Sequence, residues 1–445
     1  MVSVFLICVH PCPSVVSVFL ICVHPWNPWL LFWVNAHPPI AVSFPEAMPP
    51  AHLQNELSCD ELIARVRDVR DGDRLSPELA VALLACGGEA QDELLAAAVA
   101  LKERYRPGVV TYSRKVFLPL TNLCRDYCGY CTFRRDPGEP GARTMTPEEV
   151  LAVAGQGEKL GCTEALFSLG DKPEMLFPEM RATLQHLGYR STLHYLQAMC
   201  ELVLRETHLL PHANPGLMSY QWIERLRETN PSLGLMLESA SDALLQPGAA
   251  HDNAPDKLPS LRLKTIADAG RLGVPFTTGI LIGIGETLRD RVDSLLAIQR
   301  LHQEYGHIQE VILQNFRAKP RIPMASWPEP DPGDMLRTLA VARLLLRDMS
   351  LQAPPNLTEP HYEGLLQGGI NDWGGISPLT PDYINPEAPW PHLADLEQRT
   401  KAAGQELRQR LPVYPEFIPN VVRRGGLLAE RLATASDNVG YARAA

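Results

Sequence analysis

The chain of 445 residues is short of positive charge: 41 Lys and Arg stand against 51 Asp and Glu, a formal net charge of −10. A broad basic surface that would grip nucleic acid is therefore not expected. The chain also lacks the evenly spaced cysteine framework of a small secreted domain, although it holds ten cysteines. Four of these, Cys59, Cys86, Cys162 and Cys200, are scattered and read as small buried apolar side chains. A good membrane span is missing too. The apolar run 15–34 is broken by His24, Pro25, Asn27 and Pro28. No Lys or Arg precedes Arg65, so the cationic start of a secretory signal is absent. These absences point to a cytoplasmic chain with neither a nucleic-acid nor a membrane partner.

The N-terminus contains a direct repeat, "VSVFLICVHP" at 2–11 and again at 16–25, which carries Cys8, Cys12 and Cys22 in and beside it. It has no helix or strand logic. We expect residues 1–47 to be a non-native or disordered extension, with Met48 as the natural start; a membrane anchor is the alternative.

The rest can build a large core, being about 45% apolar overall. Residues 48–111 read as a helical prelude. Apolar residues recur at three- and four-residue spacing, Ser76 can cap a helix with Pro77 at its first position, and Asp92 can start another. Beyond it, short apolar runs alternate with helical patterns. Candidate strands lie at 115–122, 164–170, 209–214, 234–239, 274–283, 310–316, 351–357 and, weakly, 368–372. Helices such as 146–161 and 260–273 end at Gly. Eight such units predict an α/β fold, a (β/α)₈ TIM-type barrel over 112–395 with extra N- and C-terminal helices; an open doubly wound sheet is the alternative. Residues 396–445 read as a charged helical tail. The polar residues fall at strand ends, where a barrel builds its active site.

The most telling stretch is "NLCRDYCGYCTF" at 122–133, with Cys124, Cys128 and Cys131. Three thiols leave one over in a disulfide network. They exceed what a nucleophile needs. They are one short of a closed zinc site, which a distant Cys or His would have to complete. The spacing Cys-x₃-Cys-x₂-Cys lets one loop wrap three irons of a 4Fe–4S cube and leave the fourth open.

That triplet, with Tyr130 as the aromatic residue before its last Cys, resembles the signature of the radical S-adenosylmethionine (SAM) superfamily. The resemblance implies a 4Fe–4S cluster on Cys124, Cys128 and Cys131, SAM chelating the open iron, and a 5′-deoxyadenosyl radical that takes hydrogen from substrate. It places Gly170 and Asp171, in "SLGDKPE", where many members carry Gly-Gly-Glu for the SAM amino group. A solvated turn is the alternative there. Glu238 and Ser239 fall where ribose or carboxylate contacts are expected, and "GILIGIGET" offers glycines that would let backbone approach adenine. The blocks "LGDKPE", "LPHANPGLMS", "LESAS", "QNFRAKP", "QAPPNL" and "NDWGGISPLTPDYINPE" resemble, over about 112–420, the radical SAM subunit family of 7,8-didemethyl-8-hydroxy-5-deazariboflavin (FO) synthases.

This second resemblance implies a lyase of coenzyme F-420 biosynthesis. It would cyclise an adduct of tyrosine and 5-amino-6-(D-ribitylamino)uracil, made by a separate partner subunit, with loss of ammonia, and would draw on an electron donor. Asn371, Asp372 and Trp373 are expected at the eighth strand end, Asn371 and Asp372 holding uracil or ribityl groups and Trp373 stacking on substrate or else packing in the core. Arg317 could bind a carbonyl or the SAM carboxylate. His212 could be a general base, with a structural role as the alternative. His194, in a probable helix, is a weaker candidate. Related enzymes of thiamine and menaquinone synthesis share the cysteine loop, and a non-enzymatic metal protein is the reading from another class.

Overall fold

The computed structural model describes residues 57–443. The expected extension at 1–47, its repeat and Met48 lie outside the described residues.

Eight parallel strands close a barrel: β1 (Val109–Pro119), β2 (Glu164–Ser168), β3 (Leu210–Asn214), β4 (Leu233–Gly234), β5 (Phe276–Ile282), β6 (Ile308–Asn315), β7 (Ser350–Gln352) and β8 (Asp372–Ile376). Each pairs with the next, and β1 pairs with both β2 and β8. This is the expected (β/α)₈ architecture. Every residue of β5 is buried, as befits a strand covered on both faces. A ninth strand, β9 (Glu406–Gln409), pairs in parallel with the first residues of β1. The boundary expected at 111/112 thus falls inside β1, and the segment expected as a helical tail adds a strand to the sheet.

The helices start where the sequence supplies a cap. Ser58 opens Cys59–Asp71 in a reciprocal box with Glu61, and Thr146 does the same with Glu149 for Pro147–Lys159. Ser76 caps Pro77–Leu84 as expected. Asp92 does not start a helix: it sits inside Gly88–Tyr105, which begins one turn earlier. This helix packs against Cys59–Asp71 and against the barrel helix Pro332–Leu346. Within Pro147–Lys159, a Cβ at Gly157 would lie 2.3 Å from Val116 Cγ1, so glycine sets how closely that helix approaches β1. No helix among the described residues is long and apolar enough to cross a membrane.

The eighth strand departs most from expectation. The block "NDWGG" begins β8 instead of ending it, because the run before it, Tyr362–Gly368, forms a 3-10 helix. Asn371, Asp372 and Trp373 therefore stand at the end of the barrel opposite the cysteine loop.

Candidate active site

The loop after β1 folds over the C-terminal mouth and is pinned by its neighbours. Gly129 N donates to Ala250 O (2.8 Å), Tyr127 N to Asn253 O (2.9 Å), and Gly129 O accepts from Met324 N (3.0 Å). The segments after β4 and β6 thus hold it in place. Cys124, Cys128 and Cys131 line one cavity of about 270 Å³. All three are free thiols. Burial pushes the Cys124 thiol up to about 12 and the Cys128 thiol higher still, so a cation is needed to hold thiolates here.

A metal cluster fits these residues better than one ion does. A tetrahedral zinc, with bonds of about 2.3 Å, would draw its sulfurs to within roughly 3.8 Å of one another. Among the described residues the single trio of possible ligand atoms mutually within 4.8 Å is Asp126, Asp171 and Asp256, and the cysteines form no such trio. A cluster, which spreads its thiolates over separate irons, suits the wider setting. The backbone already presents donors to sulfur: Asp171 N and Asp126 N lie 3.2 and 3.4 Å from Cys124 Sγ. Such hydrogen bonds tune a cluster's potential.

Tyr130, Gly170, Asp171, Glu238 and Arg317 border the same cavity, as the sequence led us to expect. Their side chains differ in what they leave free. A Cβ at Gly170 would fall 2.0 Å from Leu123 O and 2.6 Å from Cys124 Cβ, so glycine lets β2 seat the cysteine loop. The Asp171 carboxylate is already occupied, by Leu217 N (3.0 Å) and Lys172 Nζ (2.7 Å). Burial raises its pKa to about 6, with Lys172 opposing. Tyr130 Oη meets His251 Nε2 at 3.1 Å. Arg317 Nη1 donates to Leu357 O (3.1 Å) and its Nε lies 3.4 Å from Glu329.

Glu238 sits at φ +65°, a conformation that strains a residue other than glycine and is held by pairing with β5. Its carboxylate meets Lys257 Nζ at 2.7 Å. Burial opposes both charges, yet each sustains the other: the Glu238 pKa is lowered and that of Lys257 is raised. Lys257, and Arg262 bound to Met236 O, also wall the cavity. Sequence reasoning missed both. Lys257 ends a short 3-10 turn after β4 and Arg262 lies in helix Pro259–Arg271, and periodicity does not separate such basic residues from solvated charges.

Five expected residues lie outside this cavity. Ser239 is not part of the cavity wall and accepts Ser241 N instead (3.1 Å). Trp373 is fully buried, donates Nε1 to Thr400 (3.0 Å) and packs edge-on against Tyr362, and it also lines the second cavity described below. Asn371 is structural: Oδ1 accepts from Leu351 N (2.9 Å) and from the buried Arg343 (2.8 Å). Asp372 pairs with Arg410 at 2.6 Å. His194 packs against Tyr189 on helix Thr192–Glu206. The glycines of "GILIGIGET" are covered, since a Cβ at Gly283 would strike Pro330 (2.3 Å) and one at Gly285 would touch Trp327 (3.0 Å).

A second cavity, of about 230 Å³, continues down the barrel axis and shares Asn214, Met236, Gln314, Ile384 and Asn385 with the first. His212 lines it. Ser232 gives its hydroxyl hydrogen to Pro412 O, so its Oγ accepts from His212 Nδ1 at 2.7 Å. Nε2 is left as an acceptor. Burial lowers the His212 pKa to about 4, with Glu164 opposing, which keeps the ring neutral near pH 7. Asn214 and Asn315 each leave a buried side-chain oxygen without a partner, as polar groups awaiting a ligand do.

Comparison with known proteins agrees with this geometry. Residues 118–298 match the model of the radical SAM superfamily. Over 338 residues the chain is 49% identical to 7,8-didemethyl-8-hydroxy-5-deazariboflavin synthase of Methanopyrus kandleri, across 75% of this chain and 100% of that one. It is 48% identical to FO synthase of Streptomyces coelicolor and 47% to that of Mycobacterium tuberculosis, spanning only 42% and 45% of their lengths. In fold it is similar to the FeFe-hydrogenase maturase HydG from Carboxydothermus hydrogenoformans, with a TM-score of 0.64 at 19% identity over 84% of this chain and 90% of that one. Methylornithine synthase (PylB) gives 0.61 at 18% identity, over 77% and 96%. Radical SAM enzymes bind a 4Fe–4S cluster and SAM. The chain belongs to the radical SAM superfamily and, within it, to the 7,8-didemethyl-8-hydroxy-5-deazariboflavin synthase family.

Proposed function

We propose that the chain performs the radical SAM half of FO synthesis. Its substrate is 5-amino-5-(4-hydroxybenzyl)-6-(D-ribitylimino)-5,6-dihydrouracil, which it cyclises with loss of ammonia, acting as a carbon–nitrogen lyase. The observation that carries this reading is 49% identity along the whole length of the Methanopyrus enzyme. The paired cavities support it, because one is walled by the cysteines and opens into another large enough to take part of an aromatic substrate.

Cys124, Cys128 and Cys131 hold the cluster in this reading. When bound and reduced, the cluster with SAM supplies the 5′-deoxyadenosyl radical that removes hydrogen from substrate. The backbone of Gly170 and Asp171 lines the place for the SAM amino group. Glu238 and Arg317 face its ribose and carboxylate, and Lys257 balances the anionic thiolates. His212 offers Nε2 to a proton leaving the substrate, and the Ser232 hydroxyl holds the ring for that task. A separate partner subunit makes the adduct, an electron donor reduces the cluster, and both substrates are small cytoplasmic molecules.

The test is direct. Reconstituted enzyme given the preformed adduct, SAM and a reductant without oxygen should form fluorescent FO. FO formed from free tyrosine with no partner would contradict the assignment, because the chain would then carry both steps. If SAM is cleaved only with some other aromatic substrate, the family resemblance has misled as to reaction.

A further inference from the structure

Barrel interiors are usually filled by layers of branched apolar side chains. Here the alternation of strand residues stacks three unlike layers. Ser168, Asn214 and Gln314 stand highest, where the two cavities meet. Leu166, His212 and Ile312 form the middle, with Phe117 and Trp390 stacked 5.3 Å apart at their wall. The lowest layer is charged. Lys115 meets Glu164 at 2.8 Å, and Arg410 meets Glu310 at 2.7 Å. Ser113 binds Glu164, and Thr277 and Tyr414 each donate to Glu310 at 3.1 Å.

Buried pairs of this kind add little or nothing to stability over a well-packed apolar filling, because desolvation offsets their attraction. Their presence under a cavity therefore asks for a polar ligand. Two further observations say the same. Gln352 is more than nine-tenths buried, borders the cavity and has no side-chain hydrogen bond among the described residues. The glycine pair of β8 makes the room: a Cβ at Gly374 would lie 2.1 Å from Gln352 Nε2, and one at Gly375 would lie 2.3 Å from Lys115 Cε. Those glycines belong to "NDWGG".

We propose that this floor, formed by Lys115, Glu164, Thr277, Glu310, Gln352 and Arg410, seats the substrate's polyhydroxylated chain. The inference rests on the proposed function and gives the adduct a direction. Its reacting ring carbons must face the cysteine cavity, so they stand at the shared boundary. The ribityl chain carries no reacting atom and points away, onto fixed donors and acceptors that alternate as its hydroxyls require. The ring system lies against Phe117 and Trp390 above.

The test compares two probes on the reconstituted full-length chain with SAM, by equilibrium binding without oxygen: the ribityl adduct, and its analogue with methyl in place of ribityl. The native chain should bind the ribityl adduct at least about tenfold more tightly. Gln352→Leu, which breaks no internal pair, should remove most of that preference while leaving affinity for the methyl analogue within about twofold. Equal binding of both probes, or equal weakening of both by the substitution, overturns the polyol seat alone if FO is still formed. If neither probe binds while SAM is still cleaved, the functional reading falls and the seat with it.

Discussion

At the scale of the residue, what a side chain lacks matters as much as what it offers. Gly170 carries no chemistry, yet any Cβ there meets Leu123 O and Cys124. We predict that Gly170→Ala lowers iron incorporation on reconstitution nearly as far as Cys124→Ala does. Iron and sulfide assay measures this, with circular dichroism confirming that both variants fold; full iron content in Gly170→Ala would refute it. His212 leads to a prediction in pH. An unfolded histidine protonates near 6.5, whereas burial delays protonation in the fold to about 4. Between these values the unfolded chain binds the extra proton, so stability is retained above 6.5 and falls as pH drops toward 4. The full contribution is on the order of 3 kcal/mol. The slope of stability against pH between 6.5 and 4 should be flatter in His212→Gln than in the native chain.

At the scale of the element, alternating strand and helix patterns made the barrel legible before its closure was seen. Strands β2, β3, β5 and β6 fall within a few residues of expectation, since their apolar runs are long and flanked by turn residues, whereas β1 starts at Val109, well before the expected 115. Short strands were not legible. Of 234–239 only Gly234 belongs to a strand, the two-residue β4, and a single bridge at Glu238 continues it. β8 was displaced because its signal is two glycines, which read as a turn but serve to admit Lys115 and Gln352. β9 carries alternating charge and was absorbed into a helical pattern. The cysteine triplet was legible because spacing alone carries it. Lys257, Arg262 and Gln352 were not, because their significance lies in what the fold brings beside them. Helix spacing gives a prediction at this scale. Gly157→Ala drives a methyl into Val116, and overpacking of this kind costs about 1–3 kcal/mol. Chemical denaturation should register that loss, and Val116→Ala added to it should restore part of it.

At the scale of the whole molecule, the proposed function divides the work of the two cavities between a mouth for the cofactors and a shaft for the substrate. Arg343 fastens the closed end of the shaft, donating to Gly369 O, Met349 O and Asn371 Oδ1. In the proposed function the chain carries out only the cyclising step, so we predict that it makes no FO from tyrosine and 5-amino-6-(D-ribitylamino)uracil by itself. Adding an enzyme that forms the adduct should start synthesis, read as deazaflavin fluorescence.

The most direct test is a single anaerobic turnover with the cluster-loaded chain, SAM, a reductant and the preformed adduct. The account predicts FO, ammonia and 5′-deoxyadenosine formed together, with Cys124→Ala producing none of the three. Steady cleavage of SAM that leaves the adduct unchanged would contradict it.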